Sequence, residues 1–221
     1  MGDEIYFKPP NRHWELKKCS FENFEPSSSS QTDALRFLEE FNVDSPVGLY
    51  LHGPAGRGKS HLLVAVARHF TESKVQVSYC DGITLWSNIR QHVVDYNPDN
   101  SIVRADIVIV DDIDFPYKDQ VCSNLFYRLV LDLYDQGKPV IFSSNKPPDG
   151  LVEKLIVAKN RKAVSTGLGV EVLTELGSDQ VMQNRISDRF SEMFLIIDLS
   201  DAAAYRENLQ KRYAIEHRTS K

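Results

Sequence analysis

The sequence predicts an α/β fold, a five-stranded parallel sheet sandwiched by helices, and three observations carry that expectation. Short apolar runs at residues 47–51, 75–80, 106–110, 139–143 and 195–199 are nearly continuous in hydrophobicity, as strands buried on both faces are. Segments of helical period at 60–70, 83–96 and 119–135 separate most of them, which marks strands joined by crossover helices. The first apolar run feeds straight into Gly53-Pro54-Ala55-Gly56-Arg57-Gly58-Lys59-Ser60. That is the G-x-x-x-x-G-K-[ST] pattern of a phosphate-binding loop, and an amphipathic stretch follows at once.

Size and composition agree with this reading. The chain has 221 residues, 42% hydrophobic and 26% charged, enough for one α/β domain with a full core. No apolar run approaches the roughly 20 residues that cross a bilayer, and the start Met1-Gly2-Asp3-Glu4-Ile5 lacks the basic and apolar regions of a signal peptide. A cytoplasmic protein with no membrane partner is expected. The three cysteines, Cys19, Cys80 and Cys122, are odd in number and not in C-x-x-C spacing. They read as reduced thiols, with neither a zinc site nor a disulfide framework. With a net charge of −5, any nucleic-acid contact must be local or shared across an oligomer.

Along the chain, residues 1–30 read as an irregular arm and 31–221 as the core. Pro9-Pro10 interrupts the arm, Ser27 to Ser30 is a polar run, and Phe21 and Phe24 are expected to dock on the domain. Residues 32–42 have apolar positions at helical spacing, with Thr32 as the N-cap. A strand at 47–51 enters the loop and a helix at 60–70 leaves it. Next come a strand at 75–80, a helix at 83–96 ending before Pro98, and an almost wholly apolar strand at 106–110. A helix at 119–135 closes at Gly137, and buried strands at 139–143 and 195–199 precede a terminal helix at 202–216. Residues 150–184 break the alternation. They carry Lys159-Asn160-Arg161-Lys162, Gly167, Gly169 and Val170-Glu171-Val172-Leu173, and are either an inserted helix with a small hairpin or a surface loop.

The chemistry begins at the loop. Gly53, Gly56 and Gly58 let the backbone curl so that successive N–H groups face phosphate oxygens. The positive end of the following helix adds to this. Lys59 is expected to reach the β- and γ-phosphates and the Ser60 hydroxyl to ligate Mg²⁺. Pro54, Ala55, Arg57 and His61 complete the nucleotide-binding stretch. Ile107-Val108-Ile109-Val110 ends in Asp111 and Asp112, where an open parallel sheet binds its ligands. The first acid is suited to hold Mg²⁺, directly or through water, and the second to orient or deprotonate an attacking water. Val140-Ile141-Phe142-Ser143-Ser144 ends in Asn145. A neutral amide there can bond the water or the γ-phosphate without competing for the metal, and it equally suits the turn before Pro147-Pro148. Arg185 and Arg189 stand near Asp188 and Glu192, and spacing alone favours surface ion pairs. Lys159, Arg161 and Lys162 are candidate DNA contacts, although such a charge run is more often a solvated face.

These motifs, in this order, resemble the AAA+ ATPases of the DnaA/DnaC/IstB group, most of all the DnaC-type replicative helicase loaders. The resemblance spans residues 19–215. Gly58-Lys59-Ser60-His61-Leu62-Leu63 is similar to that group's Walker A ending, Asp111-Asp112-Ile113 to its Walker B, and Ser143 to Pro148 to its sensor 1 strand and loop. Arg185-x-x-x-Arg189-Phe190 is similar to box VII, and the resemblance makes Arg189 a finger that completes a neighbour's site. Residues 19–24 look like the segment that lies near the adenine in DnaC-type loaders. A helical lid with its sensor 2 arginine, a double-stranded DNA-binding domain and an N-terminal helicase-binding domain are not recognisable, and the segment 150–184 is long for the group. The resemblance implies a P-loop AAA+ core with a minimal lid, an ATP-binding and hydrolysing switch in DNA replication that uses Mg²⁺. It further implies nucleotide-dependent self-association, a protein partner such as a replicative helicase, and candidate contact with single-stranded DNA. ZapE-type ATPases are a weaker resemblance. A P-loop kinase and a nucleotide-dependent adaptor with little turnover are the readings from other classes.

Overall fold

The structure is a computed structural model that describes residues 18–45, 47–91, 101–114, 120–148, 190 and 192–204. Its elements run α1 (Ser29–Glu39), β1 (Gly48–His52), α2 (Lys59–Glu72), β2 (Val77–Asp81), α3 (Gly82–Gln91) and α4 (Ser101–Arg104). They continue as β3 (Ile107–Asp111), α5 (Gln120–Asp135), β4 (Val140–Ser144) and β5 (Phe194–Asp198). The strands form a five-stranded sheet in the order β2-β3-β4-β1-β5, and all the pairings are parallel. Among the described residues no helix is long and apolar enough to cross a membrane.

Strand side chains alternate between faces, so each apolar strand feeds two cores. In β3, Ile107 and Ile109 join Leu49, Leu51, Val77 and Ile141 against Leu62, Leu63 and Val66 of α2 and Ala34 and Leu38 of α1. Val108 and Val110 join Tyr50, Val140 and Phe142 against Leu85 and Trp86 of α3 and Phe126, Leu129 and Leu133 of α5. Burial on both faces explains why these strands lack polar alternation.

Register decides what lies at the sheet's end. Asp81 pairs with Asp111, His52 with both Ser144 and Asp198, and Val110 with Phe142. The carboxyl ends of all the strands therefore line one edge, with the phosphate loop emerging from β1 among them.

Four expectations are corrected. The first helix is capped by Ser28, not Thr32. Ser28 has extended φ/ψ and its Oγ accepts from Gln31 N–H, whereas Thr32 lies inside the helix and bonds the Ser28 carbonyl. A run of serines offers several caps, and burial of Gln31, Ala34 and Leu38 selects the one that starts the helix at Ser29. The strand expected to be buried at 195–199 is an edge strand, and Leu195 and Ile196 are about two-fifths exposed, at 40% and 41%. Residues 202–204 are not helical: Ala202 N–H turns back to Leu199 and Ala203 N–H donates to Ser27 Oγ. A one-turn helix, α4, precedes β3 where none was expected. The segment 150–184, the end of the 83–96 helix and residues 205–216 lie outside the described residues.

Phe126 is wholly buried and stacks between Trp86 and Phe142, at centroid distances of 5.0 and 6.0 Å. Phe126→Ala is expected to lower stability by about 3–5 kcal/mol, measured by urea unfolding, as a large cavity in a shared core does.

Candidate nucleotide site

The loop between β1 and α2 takes its shape from glycine. Gly53, Gly56 and Gly58 have φ of 139°, 82° and 83°, a region that other residues enter only under strain. Gly58 is constrained twice, because a Cβ there would also sit 2.8 Å from the Phe24 ring. Phe24 belongs to the arm, which closes over the loop. Gln31, buried at the start of α1, donates through Nε2 to the Arg57 carbonyl at 2.9 Å, and its Oε1 accepts from Ser27 N–H and Oγ.

Lys59 is 7% exposed and turns its ammonium along the loop. It donates to the Gly53 carbonyl at 2.5 Å, the Pro54 carbonyl at 2.9 Å and Asn145 Oδ1 at 3.0 Å. Burial lowers its pKa, opposed by the negative charges of Asp111, Asp112 and Asp114. Asn145 Nδ2 donates to Asp112 Oδ1 at 2.9 Å. With a cation on one side and a carboxylate on the other, only one orientation of this amide is satisfied. Burial raises the Asp112 pKa, and the charges of Asp111, Asp114 and Asp81 add to it against Lys59. Asp112 also has a φ of 54°, in the left-handed region, so its carboxylate leaves the strand direction that Asp111 follows.

Asp111 is 8% exposed and faces α2. Its Oδ1 accepts from Ser60 Oγ at 3.1 Å and Ser143 Oγ at 2.5 Å, and its Oδ2 accepts from Tyr79 OH at 3.3 Å. Burial and the Asp111 charge hold the Tyr79 pKa well above its ordinary value. Asp114 accepts from Ser144 Oγ at 2.9 Å and from Asn145 N–H, fixing the end of β4. Lys59, Asn145 and Asp112 thus form one hydrogen-bonded chain and Ser60 pairs with Asp111, the two sets joined by Ser143 Oγ, which accepts the Asp112 N–H at 2.8 Å.

The donor set suits a magnesium nucleotide. Three left-handed glycines leave the loop backbone free to approach an anion, and Arg57 Nε is buried with no hydrogen-bond partner among the described residues. The Ser60 hydroxyl and Asp111 carboxylate supply hard oxygen ligands side by side, as Mg²⁺ requires.

A model of the bacterial DnaA ATPase domain matches residues 16–171. The chain belongs to that family. Among individual relatives, the chromosomal replication initiator protein DnaA of Bdellovibrio bacteriovorus is 31% identical over 106 residues, 45% of this chain and 22% of the relative. DnaA of Mycoplasma capricolum is 26% identical over 164 residues, 66% of this chain and 35% of the relative. The aligned part of the chain thus spans about a fifth to a third of these initiators, 22% and 35% of their length. The fold is shared with the crystal structure of DnaI (TM-score 0.63, 19% identity, 83% of this chain and 92% of that one). It is also shared with the DnaC helicase loader (TM-score 0.60, 16% identity, 84% and 99%). AMPPCP-bound DnaA from Aquifex aeolicus gives a TM-score of 0.59 at 20% identity, covering 90% of this chain and 55% of that one. The AAA+ likeness of the DnaA-type motifs and the parallel P-loop fold both hold.

Other expected residues fall elsewhere. His61 turns toward the arm, not the cradle: its Nε2 lies 3.0 Å from the Ser20 carbonyl and 2.9 Å from Asn23 Oδ1, and its ring meets Phe24 edge-on at 5.0 Å. Arg189, Arg185, Lys159, Arg161 and Lys162 lie outside the described residues. Sequence reasoning missed Tyr79, Ser143 and Asp114. The signal for Ser143 was a hydroxyl pair closing an apolar strand, but its partner depends on register. A groove of about 630 Å³ lies apart from the loop's chemistry, between α1 and β5, lined by Asp33, Arg36, Phe37, Leu195 and Ile196 among others.

The Ser20 carbonyl can only accept, so His61 Nε2 carries the proton of a neutral ring. Burial lowers the His61 pKa, outweighing the Ser20 bond. The stability that the neutral ring contributes is complete above the unfolded value near 6.5 and is lost as pH falls through the lower folded value. The melting temperature is expected to fall between pH 7 and 5.5, and His61→Gln to flatten that slope. An unaltered slope would contradict the assignment.

Proposed function

We propose that this protein is an ATP-binding and ATP-hydrolysing switch of DNA replication, acting in helicase loading or in an initiator-like assembly. The observation that carries the ATPase reading is the bond chain from Lys59 through Asn145 to Asp112, set beside the Ser60–Asp111 pair. It joins a phosphate ligand, a neutral amide and a carboxylate at the end of one sheet.

The loop N–H groups, with the α2 terminus, bind the phosphates, and Lys59 brings its positive charge to the β- and γ-oxygens. Ser60 and Asp111 would hold Mg²⁺, which would supply positive charge to neutralise the phosphates. Asp112 accepts a hydrogen bond from the attacking water and aligns it. The raised Asp112 pKa makes the carboxylate a better proton acceptor than an exposed one. Asn145 keeps Asp112 and Lys59 in register while leaving the metal to Asp111. Phe24 of the arm and Gln31 of α1 hold the loop at Gly58 and Arg57.

Arg189 of a neighbouring copy would complete the site by balancing charge on the transferring group. The active form is then a nucleotide-dependent oligomer. Family membership and the shared fold with the DnaC helicase loader support a replicative helicase as the protein partner. A DnaA of the same fold has been determined with AMPPCP and single-stranded DNA, which supports single-stranded DNA as a ligand reached through Lys159, Arg161 and Lys162.

Two measurements test this. Asp112→Asn is expected to lower ATP turnover by roughly a hundredfold or more while ATP affinity changes little, because the lost group handles water and not phosphate. Turnover per subunit, assayed with no added phosphoryl acceptor, is expected to rise with protein concentration and to lose that rise in Arg189→Ala. Full activity that stays flat with concentration would reject the shared site, and dependence on an acceptor would indicate a kinase.

A further inference from the structure

Ser143 lies in the sensor 1 run, where the phosphate-loop reading gives a role to Asn145 alone, yet it touches both acids. Its side chain is wholly buried at the end of β4. The one hydroxyl proton is donated to Asp111 Oδ1 at 2.5 Å, and Ser143 Oγ itself accepts the Asp112 N–H at 2.8 Å. Its carbonyl accepts the Ile113 N–H at 2.8 Å. Three consecutive residues of the acidic turn are therefore held from one residue of the neighbouring strand.

Those contacts decide geometry that the acids cannot set for themselves. A carboxylate at the end of a β-strand rotates freely about its last torsion unless something bonds it. Asp111 is bonded on both oxygens, by Ser143 from β4 and by Tyr79 from β2. Oδ1 so held also meets the Ser60 hydroxyl of α2, at 3.1 Å. Asp112 adopts its left-handed φ with its N–H tied to the same hydroxyl, so the bend that separates the two carboxylates is pinned where the metal-facing one is oriented.

We propose that Ser143 is a positioning residue for the magnesium and water machinery, with its buried hydroxyl setting the aim of Asp111 and the bend at Asp112, and Tyr79 as its weaker counterpart. This rests on the ATPase reading above. The hydroxyl is buried and bonded to the two acids, and it acts through them. Outer groups that orient metal ligands typically change metal affinity or activity by about 10–100-fold when removed. Ser143→Ala keeps the carbonyl bond to Ile113 and creates little space, so the turn retains one of its ties.

The test uses the full chain and a fluorescent non-hydrolysable ATP analogue, titrated with Mg²⁺ and separately in EDTA. For Ser143→Ala, the Mg²⁺ concentration at half-effect is expected to rise by roughly tenfold or more, and kcat, measured separately with ATP, to fall by a similar factor. Affinity in EDTA is expected to stay near wild type, and the melting temperature to fall by no more than a few degrees, the cost of one unpaired N–H. Ser143→Thr, which keeps the hydroxyl, is expected to restore both readouts, and Tyr79→Phe to give a smaller shift in the same direction. An unchanged Mg²⁺ dependence in Ser143→Ala overturns the proposal, as does an equal loss of affinity in EDTA, which a merely structural role would produce. A wild-type chain that binds no analogue overturns the ATPase reading itself, and this one with it.

Discussion

Parallel pairing of β3 with β4, in one particular register, is the constraint on which the site depends. Val110 opposite Phe142 brings Asp111 beside Ser143, and the alternation of side chains puts both on the face that α2 covers. A slip of one residue would send Asp111 to the α3/α5 face and strand it in the second apolar core. The register is not held by the polar groups that use it. It is held by Ile107, Ile109 and Ile141 on one face and Val108, Val110 and Phe142 on the other, all buried. Apolar packing over two faces thus supplies the precision, and the hydrogen bonds at the strand ends inherit it.

The second dependence runs through the arm. Phe24 fills the space beside Gly58 and meets His61, while Gln31 ties α1 to the Arg57 carbonyl. The loop is therefore gripped from outside as well as from the sheet. A turn after β5 joins the same grip, since Ala203 bonds Ser27 and Asp201 accepts from Ser30. Residues far apart in the chain, an arm, a loop and the end of an edge strand, meet around the first turn of α2. This explains why Lys59 and Ser60 are held before any ligand is considered.

Much of the fold was legible because its signals are local. The three glycines and Lys59-Ser60 identify the loop by chemistry that needs no partner strand, and Gly137 ends α5 with the expected positive φ, 66°. The central strands were readable from uninterrupted hydrophobicity. Less was readable at the margins. Ser28 rather than Thr32 caps α1 because the core chooses which face of that helix turns inward. The exposure of Leu195 and Ile196 follows from the place of β5 in the sheet, and an apolar run carries no mark of being central or peripheral. His61 lies within the phosphate-loop stretch, yet its ring serves the arm. Adjacency in sequence did not say which way the side chain turns.

The sequence by itself determined the order of the five strands, the phosphate loop, and the presence of Asp111, Asp112 and Asn145 at the ends of apolar strands. Each of these rests on spacing within a few residues, over which backbone geometry is dictated locally. Only the tertiary structure decided that Asn145 bridges Lys59 to Asp112, that Asp114 holds Asn145, and that Ser143 and Tyr79 clamp Asp111. Those pairings join strands about thirty residues apart or more. Their distances are set by strand order and register, which arise from packing the whole sheet between its helices.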